Sequence, residues 1–216
     1  MTVEHHPAEP LVAAFAAGTL DHGQHLAIAT HLLACPQCRG FKRAMENVGG
    51  VMLSDLPPAA MSDHALPDVE ARLSEQVASA PPPAVPAVAE TEIPGIPRFA
   101  RRYRFGNWKW IAPSVHLRPI KLPHKSETRV FLLKSGPGTK MLRHTHTGVE
   151  MTCVLAGAFQ QAGVRYGPGD FDLGDPMIEH QPVVEPGEGC VCLVAMQGDL
   201  RLTGIVGRIV QPFVRL

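Results

Sequence analysis

His31-Leu32-Leu33-Ala34-Cys35-Pro36-Gln37-Cys38 is the stretch that decides how the first part of the chain folds. Its pattern is His-x3-Cys-x2-Cys. A His and a Cys four residues apart lie on one side of a helix, and a Cys three residues further on returns to that side. Such ligands suit a tetrahedral Zn²⁺, which needs a fourth ligand. The adjacent pair His5-His6 offers one, and we expect His6 to complete the site.

A second interpretation of Cys35 and Cys38 is a redox pair of the thioredoxin type. Such a C-x-x-C pair follows a strand within a βαβ unit, whereas residues 26–33 have a helical apolar pattern. Two unrelated free thiols are the third possibility. Five Cys in 216 residues are too few, and odd in number, for a disulfide framework, which favours reduced thiols or metal ligands.

Three short helices are predicted around this motif. The first covers residues 10–17 and ends at Gly18, the second is capped by Asp21, and the third begins at Pro36. Gly49-Gly50 is expected to weaken the third helix midway. Three short helices bury little apolar surface, so we expect zinc to hold them together as one unit. His22 and His25, on the second helix, are expected to face solvent.

A fourth, amphipathic helix is predicted after Pro57-Pro58, with Ser62 or Asp63 as its cap. Its apolar face recurs at spacings of three, four and four residues and consists of Leu66, Val69, Leu73 and Val77. Such a helix either packs on its own domain or lies in an apolar groove of a partner. The pattern alone leaves both possibilities open.

The composition divides the chain into two domains. Residues 81–97 contain six Pro, which is typical of a semi-rigid extended linker. We therefore expect a helical domain in residues 1–80 and a second domain in residues 98–216. The first 80 residues contain four Lys or Arg and nine Asp or Glu, against 16 and 11 in the rest. An acidic module suits a basic protein better than a nucleic-acid backbone.

Membrane insertion and export are not expected. The sequence has no apolar run of the roughly 18 to 20 residues that cross a bilayer. Its N-terminal residues lack the cationic start and apolar centre of a signal peptide. We therefore expect a cytoplasmic protein.

The second domain has the sequence pattern of an all-β structure. Short runs of Val, Ile, Leu and Phe alternate with turn residues every eight to twelve residues, which predicts an antiparallel sandwich or barrel. His144 and His146 lie two apart and point to one face of a strand, where Glu150 from the next strand can join them. His180 is expected as a fourth ligand from an opposing strand. The pattern predicts a site for Zn²⁺ or another divalent metal.

These residues resemble the two motifs of the cupin family over about residues 100 to 216. The resemblance rests on G-x5-H-x-H-x3-E-x6-G from Gly138 to Gly157, followed by Pro176 and His180. It implies a double-stranded β-helix (jelly-roll) barrel with one metal held by three His and one Glu. A cupin metalloenzyme, such as a dioxygenase or isomerase with an N-terminal oligomerisation module, is therefore one possible function.

The N-terminal pattern is similar to the zinc-binding anti-sigma domain, with His6, His31, Cys35 and Cys38 as the matching positions. Both halves in this order resemble ChrR-type anti-sigma factors. The resemblance implies a non-enzymatic protein that binds an extracytoplasmic-function sigma factor one to one, partly through the fourth helix. It also implies release of that factor under photo-oxidative stress, such as singlet oxygen or organic hydroperoxide, sensed by the cupin domain.

Two points stay open in the sequence. Cys153, Cys190 and Cys192 are either sensing thiols or buried small hydrophobic residues. A zinc-finger transcription factor is another class to consider, but the acidic N-terminal part argues against direct nucleic-acid binding.

Overall fold

The computed structural model describes residues 2–74, 93–204 and 207. Helices come first and strands follow, so the predicted order of an α-helical part and an all-β part is confirmed. The helices are α1 (Glu9–Ala16), α2 (His22–Ala34), α3 (Pro36–Ser54) and α4 (Ala65–Ser74), followed by a 3-10 helix at Arg98–Arg102. The strands are β1 (Arg104–Phe105), β2 (Lys109–Ala112), β3 (Val115–Lys121), β4 (Thr128–Ser135), β5 (His144–His146), β6 (Glu150–Ala156), β7 (Phe159–Gln161), β8 (Val164–Tyr166), β9 (Phe171–Gly174), β10 (Val183–Val184), β11 (Cys190–Gln197) and β12 (Leu200–Leu202).

Local capping explains where the helices begin. The Asp21 carboxylate accepts a hydrogen bond from the Gln24 N–H at 2.9 Å, so α2 has its predicted N-cap. Cys35 ends α2 and caps α3, where its sulfur accepts from the Cys38 N–H at 3.3 Å. Helix α3 continues through Gly49-Gly50 to Ser54. The two glycines do not interrupt it, because glycine in a helix costs only about 1 kcal/mol and does not break the hydrogen-bond ladder.

The strands of the described residues form three antiparallel sheets. The largest has the order β1-β3-β4-β11-β6-β9, with β2 paired to β3. The other two have the orders β10-β7-β8 and β12-β5. These smaller sheets lie across a cavity from the large one, because residues of all three sheets line that cavity.

The central strand β11 shows that the large sheet is buried on both faces. Alternate residues Val191, Leu193 and Ala195 belong to a core cluster shared with the helices. The intervening residues Cys190, Cys192, Val194 and Met196 belong to a second cluster on the opposite side. This double burial explains why the strand is a continuous apolar run rather than an alternating one.

The helical part and the β part share one hydrophobic core. Leu26, Ala27 and Ile28 of α2 lie in the same cluster as residues of β4, β6 and β11. The start of α2 is fixed by a hydrogen bond of 2.5 Å from the Thr128 hydroxyl to the Asp21 carboxylate. Burial of a large apolar side chain such as Leu26 or Ile28 contributes about 1.5–3 kcal/mol to the free energy of unfolding. Helix α2 therefore covers the sheet as part of the same folded unit.

The end of the predicted linker is part of this core. Ile93 and Ile96 are buried in the shared cluster, while residues 75–92 lie outside the described part. The domain boundaries at residues 80 and 97 therefore stay a prediction from composition.

Among the described helices, none has the length and apolar character that a membrane crossing requires.

The structure corrects the expectation that His22 and His25 of α2 both face solvent. His22, expected to face solvent, is half-buried, and its Nε2 lies 2.7 Å from the Tyr103 hydroxyl. The reason is long-range, because the 3-10 helix brings Tyr103 next to the start of α2. His25 is exposed as expected, with its ring stacked on Phe15.

Candidate metal centres

The four predicted ligands of the helical part lie together. The ligand atoms of His6, His31, Cys35 and Cys38 are all within 4.8 Å of one another. His6 Nδ1 is 3.3 Å from the Cys35 sulfur and 3.6 Å from the Cys38 sulfur. Ligands at ~2.0–2.3 Å from a tetrahedral Zn²⁺ are about 3.3–3.8 Å apart. The geometry of this cluster therefore fits a tetrahedral ion.

His31 is oriented as a ligand. Its Nδ1 lies 2.8 Å from the Gly169 carbonyl oxygen, to which it donates, so its Nε2 carries the lone pair. That Nε2 is buried and has no hydrogen-bond partner among the described residues. Burial lowers the pKa of His31, which keeps the ring neutral. A buried nitrogen without a partner is unfavourable, and a metal ion satisfies it.

The two sulfurs also need a cation. Both thiols are buried, and burial raises the pKa of Cys38 to about 12, with the Cys35 sulfur adding to the shift. The thiolate form that binds metals is therefore favourable here only beside a positive charge.

The structure distinguishes between the two N-terminal histidines. The His5 ring contacts Tyr166, with 4.5 Å between centroids, and its Nε2 lies 2.9 Å from the Arg165 carbonyl oxygen. His6 faces the sulfurs instead. Adjacent side chains of an extended segment point in opposite directions, so only one of the two reaches the cluster.

The second cluster consists of three histidines in the β part. His180 Nε2 lies 2.8 Å from His144 Nε2 and 3.0 Å from His146 Nε2. His144 and His146 are two residues apart on β5, and the backbones of His144 and His180 exchange two hydrogen bonds of 3.1 and 2.9 Å. Strand β5 and the segment that carries His180 therefore meet at these three side chains, although they are 34 to 36 residues apart in the sequence.

The three nitrogens point to a shared cation. His144 Nδ1 donates to the Leu142 carbonyl oxygen at 2.7 Å, which leaves its Nε2 unprotonated. Burial lowers the pKa of His144 and of His146 to about 4, so both rings are neutral at pH 7. His180 Nε2 lies within hydrogen-bond distance of the other two Nε2 atoms. One N–H proton cannot serve both neighbours well, whereas a cation bound by all three nitrogens satisfies their lone pairs together. The donor set suits Zn²⁺ and other borderline divalent metals.

Glu150 lies at the edge of this cluster. Its Oε2 is 3.7 Å from His146 Nε2, and its Oε1 accepts from the Thr152 hydroxyl at 3.1 Å. The group of ligand atoms within 4.8 Å of one another contains the three histidines without Glu150. Burial raises the pKa of Glu150 to about 7. The role of Glu150 as a fourth ligand stays a prediction.

A cavity of about 130 Å³ lies beside the three histidines. Its wall is mostly aliphatic and aromatic, and its polar lining residues are Ser135, His144, Glu150, Thr152, Asp172 and His180. An apolar cavity of about 150 Å³ is large enough to hold benzene. The space is therefore suited to a small apolar molecule or the end of a longer one.

Cys190 and Cys192 line the cavity, and their sulfurs are 3.5 Å apart. Cys153 lies on the opposite face of the large sheet, in the core shared with the helices, where burial raises its pKa to about 12. Asp172 was not predicted as a site residue. In the sequence it is indicated only by its charge, because Asp172 lies between the apolar residues Phe171 and Leu173 of β9.

The predicted partner-binding face of α4 is exposed. Leu66, Val69 and Leu73 are 64%, 50% and 80% exposed, and α4 has no buried residue in the described part of the chain. Val77 lies outside the described residues. The end of α3 adds further exposed apolar residues, which are Val48, Val51, Met52 and Leu53.

The described residues form a two-part protein, in which a helical part with a His/Cys cluster is joined to a cupin-like β domain with a three-histidine cluster. Each cluster is a group of side chains able to hold a metal ion. Residues 101–198 match the family described as the ChrR cupin-like domain. Over 216 residues the chain is 37% identical to the anti-sigma-E factor ChrR of Cereibacter sphaeroides, with 100% of both chains covered. The chain therefore belongs to the ChrR family of anti-sigma factors.

Solved structures that are similar to this chain include a sigma–anti-sigma complex and a cupin protein. The crystal structure of Rhodobacter sphaeroides SigE in complex with the anti-sigma ChrR matches with a TM-score of 0.73 and 33% identity, covering 91% of this chain and 100% of that one. An RmlC-like cupin protein of Ralstonia eutropha matches with a TM-score of 0.43 and 16% identity, covering 56% of this chain and 79% of that one.

Proposed function

We propose that this protein is an anti-sigma factor that binds an extracytoplasmic-function sigma factor one to one and keeps it from RNA polymerase. The proposal is supported by the full-length likeness to a relative named an anti-sigma-E factor, and by the similar structure of a sigma–anti-sigma complex. The factor acts in the cytoplasm, where polymerase works, and makes no direct contact with nucleic acid.

The observation that carries this proposal is the exposed apolar surface of α4 and the end of α3, which we call the α3–α4 surface. It consists of Val48, Val51, Met52, Leu53, Leu66, Val69 and Leu73, each at least 50% exposed. On each helix, residues spaced three or four apart form one exposed apolar face, with Val48, Val51 and Met52 on α3 and Leu66, Val69 and Leu73 on α4. Exposed apolar patches of this kind mark interaction sites. An amphipathic helix with its apolar face open is suited to a groove of a partner.

In this proposal the helical cluster holds Zn²⁺ as a structural ion. His6, His31, Cys35 and Cys38 hold it, and a bound Zn²⁺ supplies a link between the N-terminal segment, the end of α2 and the start of α3. That link fixes the start of α3, the helix whose end forms part of the α3–α4 surface.

The β domain acts as the sensor in this proposal. His144, His146, His180 and Glu150 hold Zn²⁺ or another divalent metal beside the cavity, with the thiols of Cys190 and Cys192 in its wall. Photo-oxidative stress, as singlet oxygen or organic hydroperoxide, changes the chemistry of this site and leads to release of the sigma factor.

Co-expression with a cognate sigma factor tests the main proposal. We expect the two chains to co-purify as a one-to-one complex, and the purified protein to suppress transcription from a promoter of that sigma factor. Size-exclusion chromatography with light scattering and a transcription assay measure both. Transcription that is unaffected by excess protein would contradict the proposal.

Replacing the histidines of the β domain tests the sensing role. We expect His144→Ala and His146→Ala to leave sigma-factor binding within about twofold of wild type, because both residues lie on β5 of the β domain and neither belongs to the α3–α4 surface. Induction of a sigma-dependent reporter by singlet oxygen should fall to the uninduced level. Normal induction in both variants would remove this metal site from the sensing mechanism.

The cavity beside three histidines keeps a cupin metalloenzyme as the second candidate. If this protein were a dioxygenase or isomerase of this kind, the purified metal-loaded protein would convert a small apolar substrate. Glu150→Ala would then abolish that turnover. The relative that matches over the full length is named an anti-sigma factor and not an enzyme, which favours the regulatory function.

A further inference from the structure

The turn between β8 and β9 holds the N-terminal segment in place. The Asp170 carboxylate is buried, and its Oδ1 accepts from the N–H groups of Glu4 and His5 at 2.7 and 2.9 Å. Its Oδ2 accepts from the Gly167 N–H at 2.8 Å, and the Phe171 N–H donates to the His5 carbonyl oxygen at 3.0 Å. Three of these hydrogen bonds fix the backbone immediately before His6, and the fourth, from Gly167, holds the Asp170 carboxylate within the turn.

The same turn orients His31. The Gly169 carbonyl oxygen accepts from His31 Nδ1 at 2.8 Å, while the Gly169 N–H donates to the Val154 carbonyl oxygen at 2.9 Å. Gly169 has φ +91°, and a Cβ at this position would lie 2.7 Å from the Ala34 Cβ and 2.9 Å from Val3 Cγ2. Only glycine combines this backbone conformation with this close approach to α2.

We propose that Gly169 and Asp170, both in the β domain, are positioning residues for the helical metal site. They hold two of its four ligands, His31 through its Nδ1 and His6 through the backbone before it. Partners that orient a metal ligand typically change metal affinity by about 10- to 100-fold when they are lost. The inference rests on metal occupancy of the helical cluster, which belongs to the proposed function.

Strand β9 extends this connection to the second metal site. The strand leaves the turn at Phe171, places Asp172 in the cavity wall and ends at Gly174. A Cβ at Gly174 would lie 3.2 Å from the Glu150 Cβ and 3.4 Å from His146 Cδ2. One four-residue strand therefore contacts residues of both sites, since the Phe171 ring also packs against the His31 ring, with 5.8 Å between their centroids.

Cobalt loss from the full-length protein tests the proposal. Cobalt(II) bound by thiolates has a sulfur-to-metal charge-transfer band, which reports the cluster that contains Cys35 and Cys38 and not the histidine cluster. The protein is loaded with Co²⁺ and mixed with excess EDTA, and the decay of the band is followed. We expect Gly169→Ala to lose cobalt faster than wild type, because the loss of a partner that orients a ligand lowers metal affinity by about 10- to 100-fold.

Gly163→Ala is the matched control. Gly163 also has a positive φ, +81°, but a Cβ there would meet nothing within 4 Å. The control therefore adds the same backbone strain without a clash against α2, and cobalt loss should match wild type. Asp170→Asn is the second variant, because one amide oxygen cannot accept from all three N–H groups, and it should also lose cobalt faster.

Thermal unfolding separates positioning from a general structural role. If the turn positions metal ligands, the rise in Tm that cobalt produces over the chelated protein should shrink in Asp170→Asn. Equal loss of Tm with and without cobalt, together with wild-type cobalt decay in Asp170→Asn, would overturn the inference even if Gly169→Ala does not fold. No sigma factor is present in these assays, so a wild-type protein without the charge-transfer band would contradict the zinc site of the proposed function instead.

Discussion

The substitution Leu73→Asp in α4 is expected to weaken binding of the sigma factor about a thousandfold. Leu73 is 80% exposed and lies at the apolar face with Leu66 and Val69. Removing a buried leucine from an interface forfeits about 1.5–3 kcal/mol, and burying an unpaired carboxylate adds a few more. Since each 1.4 kcal/mol is a factor of ten in Kd, a loss of about 4 kcal/mol is a factor of about a thousand. Isothermal titration calorimetry of the full-length variant measures this change.

The folded protein should not be affected by this substitution. Side chains as exposed as Leu73 change the free energy of unfolding by only about 0.5 kcal/mol when they are replaced, so Tm should be close to wild type. Met177→Asp is the matched control, because Met177 is 91% exposed but lies in the β domain. Wild-type affinity in the double variant Leu66→Asp/Leu73→Asp would exclude α4 from the interface.

Local patterns in the sequence are sufficient to predict the helices and the His/Cys cluster of the helical part. The spacing of His31, Cys35 and Cys38 places three ligands on adjoining turns of α2 and α3, and the cap at Asp21 and the proline at Pro36 mark where these helices begin. Only the fourth ligand comes from a distant segment. Because most of the information lies within eight residues, the structure brings together the same residues that the pattern indicates.

Contacts between the two parts of the chain could not be predicted in this way. The apolar face of α2 is visible in the sequence, but nothing in its spacing indicates that it covers β4, β6 and β11. The Gly-Pro-Gly-Asp sequence at residues 167–170 predicts a turn and no more, although that turn contacts His31 across 138 residues. Hydrogen bonds of this kind depend on how whole elements pack, and no local periodicity encodes them.

The predicted ligand set of the β domain shows the same limit. His144 and His146 share a face of β5 because alternate residues of a strand do so, and His180 joins them through a backbone bridge. The exact distance of Glu150 depends on the short connection between β5 and β6 and on its hydrogen bond to Thr152. Spacing in the sequence predicts that Glu150 returns to this region, but not the 3.7 Å that separates it from His146.

The substitutions Cys35→Ser and Cys38→Ser are expected to abolish metal binding in the helical cluster and, with it, binding of the sigma factor. A structural zinc site contributes about 10–16 kcal/mol in small zinc modules, and hydroxyl groups do not replace thiolates as ligands. Metal analysis of the purified variants should show the loss of one zinc per chain relative to wild type. Sigma-factor capture should fall below the detection limit of a pull-down assay.

The shared core determines which helices loosen when this metal is lost. Cys38 is the buried residue of α3, which otherwise packs mainly on α1, whereas α2 is held to the sheet by Leu26 and Ile28. Hydrogen exchange should therefore become fast in α1 and α3 while α2 stays protected. Cys153→Ser is the control, because Cys153 is a buried thiol of the same core but is not in the cluster, so that variant should keep its zinc and its slow exchange in α3. Protection of α3 that survives in Cys35→Ser would mean that the metal does not hold this helix, and the α3–α4 surface would then have to be shaped by protein contacts alone.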